Sequence, residues 1–345
     1  MRHEPFIIAE MSGNHKQSLD RALEIVNAAA KSGAHAVKLQ TYTPDTMTLD
    51  LAEREFFISD ENSLWNGRSL YDLYEEAHTP WAWHEPIFKR ARELGLIPFS
   101  TPFDETAVDF LETLDAPCYK IASFENTDIP LIRKAAATKK PIIISTGMAT
   151  LSELAEAVST ARENGASDVV LLKCTSTYPA PPGESNISTL PHMRTLFGCE
   201  TGVSDHTPGI GVAVASIALG GTVIEKHFTL DRGDGGVDSA FSLEPHEMAA
   251  LVTESRRAWE AIGSVRYEPG EGEKGSRAYR RSLYIAKDMA AGERLTPETL
   301  RRVRPGHGLA PKYYEVLLGK KLVRDVKRGT PVSWDLFVAG MSHGG

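Results

Sequence analysis

The sequence predicts a (β/α)8 barrel of the TIM type followed by a small, mainly β domain. Three observations carry that prediction. From residue 6 to about 262, short β-branched runs alternate with amphipathic stretches, the pattern of parallel strands joined by crossover helices. Eight runs are found, and eight strand-then-helix units at this length close into a barrel rather than an open sheet. Beyond them, Gly263 to Arg281 is rich in Gly, Glu and Arg, as linkers are, and a compact stretch of short strands and turns follows. The expected organisation is a barrel over residues 1–262, a linker over 263–281 and a second domain over 282–345.

The expected strands are FIIA (6–9), HAVKLQ (35–40), LIPFS (96–100), CYKIAS (118–123), PIIIST (141–146), VVLLKC (169–174), ETGVS (200–204) and TVIEKHF (222–228), the seventh being the weakest signal. Between them, Ala, Leu and Ile recur at helical spacing over Ser18–Ser32, Trp81–Leu94, Asp104–Leu114, Leu131–Thr138 and Leu151–Asn164. Gly33, Gly95 and Gly165 follow three of these and suit helix C-termini. Thr43 to Pro80 breaks the rhythm: it is long, acidic and aromatic, with Phe56, Phe57, Trp65, Tyr71 and Tyr74. Such a loop forms a lid or pocket wall, or else a packed surface excursion. In the last domain, LYIAKD before Gly292 and KKLVRDV before Gly329 read as short strands leading into turns. There is no internal repeat and no low-complexity tract.

The chain has 345 residues, 41% hydrophobic and 24% charged, enough for one large core and a small one. With 38 basic against 46 acidic residues and a formal charge of -8, no broad footprint for nucleic acid or an anionic membrane is present. An anionic substrate then needs a local basic pocket. Cys118, Cys174 and Cys199 are odd in number and show no CxxC spacing, which argues against a disulfide framework or zinc knuckle and for a reducing cytoplasm. The opening MRHEPFIIAE meets Glu10 too soon for a signal peptide, and no apolar stretch approaches a membrane span.

In a barrel of this type chemistry collects at the C-terminal strand ends, so polar residues there are informative. Here every strand ends on them: Glu10; Lys38 and Gln40; Ser100 and Thr101; Lys120, Ser123 and Glu125; Ser145 and Thr146; Lys173, Thr175 and Ser176; Ser204 to His206; Glu225 to His227. Period two places Ala36, Lys38 and Gln40 on one face, so Lys38 should point into the barrel. Lys120 shares a face with Cys118 and Ala122, and Lys173 with Leu171 and Thr175. An inward lysine needs an anion: either a bound phosphate or carboxylate, or an internal partner such as Glu10 or Glu125. Thr101, Pro102 and Asp104 also fit a helix cap, with Pro at the first helical position. His206 and His227 close neighbouring strands, which suits either a divalent metal with open positions or two hydrogen-bonded structural histidines.

Together, IIAEMSGNH (7–15), AVKLQTYTPDT (36–46), STPFD (100–104), YKIASFE (119–125), STGMAT (145–150), KCTSTYP (173–179), GVSDH (202–206) and VIEKHF (223–228) resemble the sialic acid synthase (NeuB-like) family, and most closely its pseudaminic acid synthase branch. RRSLYIAKD (280–288), VRPGHGLAPKYY (303–314) and LLGKK (317–321) resemble the antifreeze-like (SAF) domain that ends these synthases.

The resemblance implies a transferase that condenses phosphoenolpyruvate with an acetamido sugar. In the pseudaminic branch this sugar is 2,4-diacetamido-2,4,6-trideoxy-L-altrose, joined with water and with C–O cleavage of phosphoenolpyruvate. By position, His206 and His227 match metal ligands, for manganese, with magnesium or cobalt as alternatives. Lys38, Thr101, Lys120, Ser123, Ser145, Ser176 and Ser204 fall where the family binds phosphoenolpyruvate. Glu10, Gln40, Tyr178 and Asp238 fall near the sugar or the metal-bound water, and Glu125 matches a carboxylate beside the reacting carbons; Glu10, Glu125, Lys120 and Asp238 form the implied catalytic set. Arg304 matches an arginine that the family sends into the partner subunit's barrel, where it touches an N-acyl group, implying a domain-swapped homodimer. Ser176 stands where the sialic branch carries Asn, and Gly233 to Val237 lacks that branch's Arg-Pro-Gly-Pro run. The family's N-terminal hairpin is nearly absent, because strand one begins by Phe6. Three other readings are a sialic or legionaminic acid synthase, a barrel aldolase using an inward lysine as a Schiff base, and a carbohydrate-binding protein on the same scaffold.

Overall fold

The computed structural model describes residues 3–61 and 63–338; the expected second domain's last residues, 339–345, lie outside them. Eight parallel strands close in sequence order: β1 Phe6–Glu10, β2 Ala36–Thr41, β3 Ile97–Pro102, β4 Tyr119–Ile121, β5 Ile142–Ser145, β6 Val169–Cys174, β7 Glu200–Ser204 and β8 Val223–His227. The chain divides into two compact units, Met1–Gly263 and Ser264–Gly345. No helix among the described residues is long and apolar enough to cross a membrane.

Side-chain alternation builds two layers. Outward residues such as Ile7, Val37, Leu39, Ile144, Leu171 and Ile224 join the core beneath the helices. Inward ones, Ile8, Ala36, Phe99, Ile143, Leu172 and Val223, plug the barrel interior. Moving up two residues from Ile8, Ala36, Phe99, Ile143 and Val223 reaches Glu10, Lys38, Thr101, Ser145 and Glu225, so the apolar layer seals the barrel directly below the charged one. The weak signal of β7 has a physical reason. A Cβ on Gly202 would lie 1.9 Å from the Val223 carbonyl oxygen, so the residue that weakens strand propensity is required by the close approach of β8.

Helix boundaries follow their caps. Ser18 accepts a hydrogen bond from Arg21 N ahead of Leu19–Lys31, and Thr150 forms a capping box with Glu153 ahead of Leu151–Glu163. Gly33, Gly95 and Gly165 adopt positive φ at helix ends. The helix expected from Leu131 begins at Ile129, because Asp128 caps it and a proline is tolerated in the first turn. Thr101 is not a cap: β3 runs through Pro102, and Asp104 caps Glu105–Thr113 through Thr106 N and Ala107 N.

The insertion after β2 is not structureless. It carries short helices at Pro44–Met47 and Leu70–Ala77 and a 3-10 turn at Arg54–Phe56. In the second unit, β9 Ser282–Ile285 pairs antiparallel with β10 Leu300–Val303 over a separate core that includes Leu283, Leu295, Leu322 and Val332. The stretch expected as a linker folds into a helical turn at Glu271–Lys274 and a 3-10 segment at Gly275–Tyr279.

Candidate active site

The charged layer above the apolar plug is an internal ion network. Lys38 Nζ lies 2.6 Å from a Glu10 oxygen and 3.9 Å from Glu225, and Lys120 Nζ lies 3.5 Å from Glu225. All four side chains are buried. The inward lysines therefore meet carboxylates of their own chain, with Glu225 in the place suggested for Glu125. Lys38 also donates to Thr101 Oγ1 at 3.0 Å, Lys120 to Ser145 Oγ at 2.7 Å, and Ser204 to Glu225 at 3.1 Å. The second Glu225 oxygen has no hydrogen-bond partner among the described residues. Burial pushes Lys38 down, but Glu10 and Glu225 outweigh it and hold the ammonium above its ordinary range. Lys120 falls below its ordinary value because burial, reinforced by the Lys38 charge, outweighs Glu225. For Glu10, burial likewise exceeds the pull of Lys38 and raises the carboxyl. For Glu225, burial is outweighed by Lys120 and Lys38, and the carboxyl is lowered.

Beside this network stand the two histidines, with ring centroids 5.3 Å apart. His206 Nδ1 lies 3.0 Å from the Thr175 carbonyl oxygen, a contact that requires a proton on Nδ1 and, in the neutral ring, leaves the Nε2 lone pair available. His227 Nδ1 is buried without a hydrogen-bond partner among the described residues, and Asp238 Oδ2 lies 3.8 Å from it. Burial, aided by His206 and the lysines, drives His227 well below its ordinary value and keeps the ring neutral, the form a metal needs. Two imidazoles with lone pairs and a neighbouring carboxylate fit a divalent cation. A second acidic and histidine group, Glu244, His246 and Glu247, has its carboxylates taken up by Arg232 and a helix cap.

The network continues through hydroxyls. Ser12 donates to Asp238, and Gln40 Nε2 donates to Ser12 at 2.9 Å and to Glu10 at 3.2 Å, linking the histidine side to the lysine side. Cys174 Sγ lies 3.8 Å from His206 Nδ1 and 3.7 Å from Ser176 Oγ. Burial pushes the Cys174 thiol up, yet the His206 contact prevails and brings it to about 7. On the loop after β5, Gly147 N donates to Ser123 Oγ at 3.1 Å, and a Cβ there would fall 2.1 Å from Ser176 Oγ. Only glycine lets this backbone approach both serines. Asn126 Nδ2 clamps the loop through the Ser145 and Gly147 carbonyls.

Next to His227 opens a cavity of about 260 Å³. Its barrel side offers Ser12, Gln40, His227 and Asp238; the insertion supplies Met47, Ile58, Trp65, Leu73 and Tyr74. The insertion is thus a pocket wall. Trp65 Nε1 donates to the Val237 carbonyl at 3.0 Å, tying that wall to the loop after β8, and its ring lies 6.0 Å from Tyr178. Glu125 also lines the cavity; burial, opposed by Lys120, pushes its carboxyl up to about 7, and one oxygen is buried without a hydrogen-bond partner among the described residues.

Of the residues singled out in the sequence, Glu10, Lys38, Thr101, Lys120, Ser145 and Ser204 join through the ion network. Ser123, Ser176, His206, His227, Tyr178 and Asp238 join through the histidine side, with Gln40 between and Glu125 at the cavity. Arg304 stands in the second unit, exposed, on a hollow it shares with Arg301 and Arg328. Sequence reasoning misses Glu225 as the shared lysine partner, although alternation in VIEKHF puts it on the same face as His227. It also misses Ser12 and Cys174. Lys173 turns to the outer face with Leu171 and donates to the Cys174 carbonyl at 3.0 Å. Asp205 and Lys226, next to the two histidines, form a buried pair at 3.2 Å.

The NeuB family profile matches residues 25–267, and the SAF domain profile matches residues 280–338. The chain is 45% identical over 324 residues to a pseudaminic acid synthase of Campylobacter jejuni, covering 94% of each chain. It is 43% identical over 337 residues to a pseudaminic acid synthase of Helicobacter pylori, covering 97% of this chain and 98% of that one. A crystal structure of N-acetylneuraminic acid (sialic acid) synthetase from Leptospira borgpetersenii superposes with a TM-score of 0.71 at 30% identity, covering 79% of this chain and 90% of that chain. With its barrel, its small C-terminal unit and these matches along nearly its whole length, the chain belongs to the NeuB family and ends in a SAF domain.

Proposed function

We propose that the chain is a pseudaminic acid synthase, joining phosphoenolpyruvate, 2,4-diacetamido-2,4,6-trideoxy-L-altrose and water into pseudaminic acid and phosphate. The observation that carries this reading beyond family likeness is the continuity of three parts. A buried lysine pair adjoins two histidines, and these adjoin a cavity of about 260 Å³.

In this reading Lys38 and Lys120 hold the anionic groups of phosphoenolpyruvate, with Thr101, Ser123, Ser145, Ser176 and Ser204 completing the cradle. Entry of a trianion beside Glu10 and Glu225 favours protonation of these carboxylates, and Glu10, already raised by burial, is the readier of the two. Gln40, Tyr178 and Asp238 face the sugar, with Glu10 behind Gln40. His206 and His227 hold a divalent ion, manganese by family likeness, which when bound supplies Lewis-acid polarisation of the sugar's aldehyde.

The bond-forming step joins C3 of phosphoenolpyruvate to the aldehyde carbon, and the aldehyde oxygen takes a proton. Water then adds at C2 and gives up a proton; Glu125, poised near neutrality, suits that acceptance. The bond between C2 and the phosphate ester oxygen then breaks, the new C2 hydroxyl passing its proton to the departing phosphate, which leaves a ketone and free phosphate. Lys120 and Asp238 serve by charge and position.

Arg304 is exposed and has no acidic partner among the described residues, which supports its delivery to the sugar of a second copy in a domain-swapped homodimer. Three free cysteines and no disulfide among the described residues support a cytoplasmic setting. The test is phosphate release with a panel of acetamido sugars, with and without chelator. Release with the diacetamido sugar, abolished by chelation, is expected; turnover of N-acetylmannosamine with none of the diacetamido sugar overturns the assignment.

A further inference from the structure

One stretch of the cavity wall has an unusual composition. Met47, Ile58, Leu73 and Phe103 are apolar, and two phenol groups, Tyr42 and Tyr74, stand among them. Tyr42 is only 1% exposed. Its ring meets Tyr74 edge-on at 5.9 Å and Phe103 at 5.2 Å, and the Trp81 indole fixes its backbone by donating to the Tyr42 carbonyl at 3.2 Å. Neither hydroxyl has a hydrogen-bond partner among the described residues. Burial, with the Asp238 charge nearby, holds the Tyr42 phenol well above its ordinary value, so it remains a donor. A buried hydroxyl is costly to leave unpaired. The buried Tyr42 and the half-buried Tyr74, standing on the stretch of cavity wall that Met47, Ile58, Leu73 and Phe103 make apolar, ask for a ligand group that combines an acceptor with a methyl.

An acylamino group is such a combination. The sugar of the proposed reaction carries two, at C2 and C4. Its reacting aldehyde carbon must lie on the histidine side, which keeps the C2 substituent near the barrel and directs C4 toward the insertion. Resting on the proposed function, we propose that Tyr42 and Tyr74 form the specificity site for the 4-acylamino group, donating to its carbonyl oxygen while its methyl packs on Met47, Ile58, Leu73 and Phe103. A sugar with a hydroxyl at C4 fills neither the acceptor position nor the apolar wall in the same way.

The test compares kcat/KM for the 2,4-diacetamido sugar with that for its counterpart carrying a hydroxyl at C4, in the wild-type protein, Tyr42→Phe and Tyr74→Phe. Loss of one buried hydrogen bond lowers the preference for the diacetamido sugar by about tenfold in each variant. Equal losses on both sugars, or no loss, overturn the inference, and if Tyr42→Phe does not fold, Tyr74→Phe decides. Absence of phosphate release by the wild-type protein with the diacetamido sugar refutes the proposed function instead. In that event equilibrium binding of the two sugars without added metal decides the inference: a preference for the diacetamido sugar that the Phe variants lose supports it, and indifferent binding overturns it.

Discussion

Replacing Glu125 by Gln should make the barrel more stable while damaging its chemistry. The carboxyl ordinarily titrates near 4.5 and is held up to about 7 by burial, against the pull of Lys120. That gap corresponds to on the order of 3 kcal/mol, and solvent reaching the cavity trims it to about 1–2 kcal/mol. The sign follows from proton linkage. The folded barrel holds the Glu125 proton more tightly than the unfolded chain does. Its contribution is therefore fully present below about pH 4.5 and is lost as pH rises through about 7. Above that, the folded protein carries a buried carboxylate for which Gln has no counterpart. Urea unfolding in the presence of chelator reads this directly by tryptophan fluorescence, because Trp65, Trp81, Trp83 and Trp259 all lie in the barrel unit. At pH 8.5 the variant should exceed the wild-type protein by about 1–2 kcal/mol, and the advantage should shrink toward zero by pH 5. Phosphate release by the variant should fall by about a hundredfold or more. A pH-independent difference, or a variant less stable at pH 8.5, would refute the reasoning about Glu125.

Other substitutions test the remaining parts of the site. His206→Ala and His227→Ala should each abolish phosphate release with an unchanged circular dichroism spectrum, as chelation of the wild-type protein should; near-normal turnover in either variant would remove the histidines from the mechanism. Lys38→Met leaves Glu10 and Glu225 without their shared cation and should cost about 3–5 kcal/mol in urea unfolding at pH 7, a loss that Lys38→Met with Glu10→Leu should partly restore. Gly147→Ala drives a Cβ to within 2.1 Å of Ser176 Oγ and should raise KM for phosphoenolpyruvate by at least about tenfold, whereas an unchanged KM would place that loop outside the anion cradle.

The barrel was legible in the sequence because each strand is a short β-branched run whose inward and outward residues differ in kind. VVLLKC and ETGVS coincide with β6 and β7 to the residue. The polar strand ends were legible for the same reason, since a lysine at Lys38 or Lys120 has no place on an apolar barrel face unless something there needs charge. What could not be read was the pairing. Glu225 comes nearest to Lys38 and Lys120 only after β8 closes on β1, with Glu10 opposite His227 in the register, a relation that sequence spacing does not encode. Thr101 misled because Thr-Pro-x-Asp supports two caps, and β3 extends two residues further than its β-branched run. Nor did the acidic, aromatic insertion announce which of its side chains would face inward: Trp65 and Tyr74 line the cavity, whereas Phe57 is exposed.

The division of labour between strands and insertion has a consequence for how such an enzyme changes its sugar. Every group proposed for the anion and the metal sits on a strand end or the turn that follows it, and these are fixed by barrel register and by the buried network linking Glu10, Lys38, Glu225 and Lys120. Altering one of them disturbs its partners as well, because each lysine and carboxylate depends on the others for its charge state. The apolar side of the cavity instead comes largely from Thr43–Pro80, tied down by the Trp65 bond to Val237 and by bonds of Gln17 and His15 to its C-terminal end, and free of any ion pair to the lysine network among the described residues. Substitutions on that wall can therefore reshape the sugar pocket while the condensation machinery stays as it is. Ile58→Thr is the mildest such change. It should shift relative kcat/KM among acetamido sugars severalfold and leave KM for phosphoenolpyruvate within about twofold of the wild-type value. If KM for phosphoenolpyruvate moved as far as the sugar preference, the wall and the network would be one coupled unit and the separation argued here would fail.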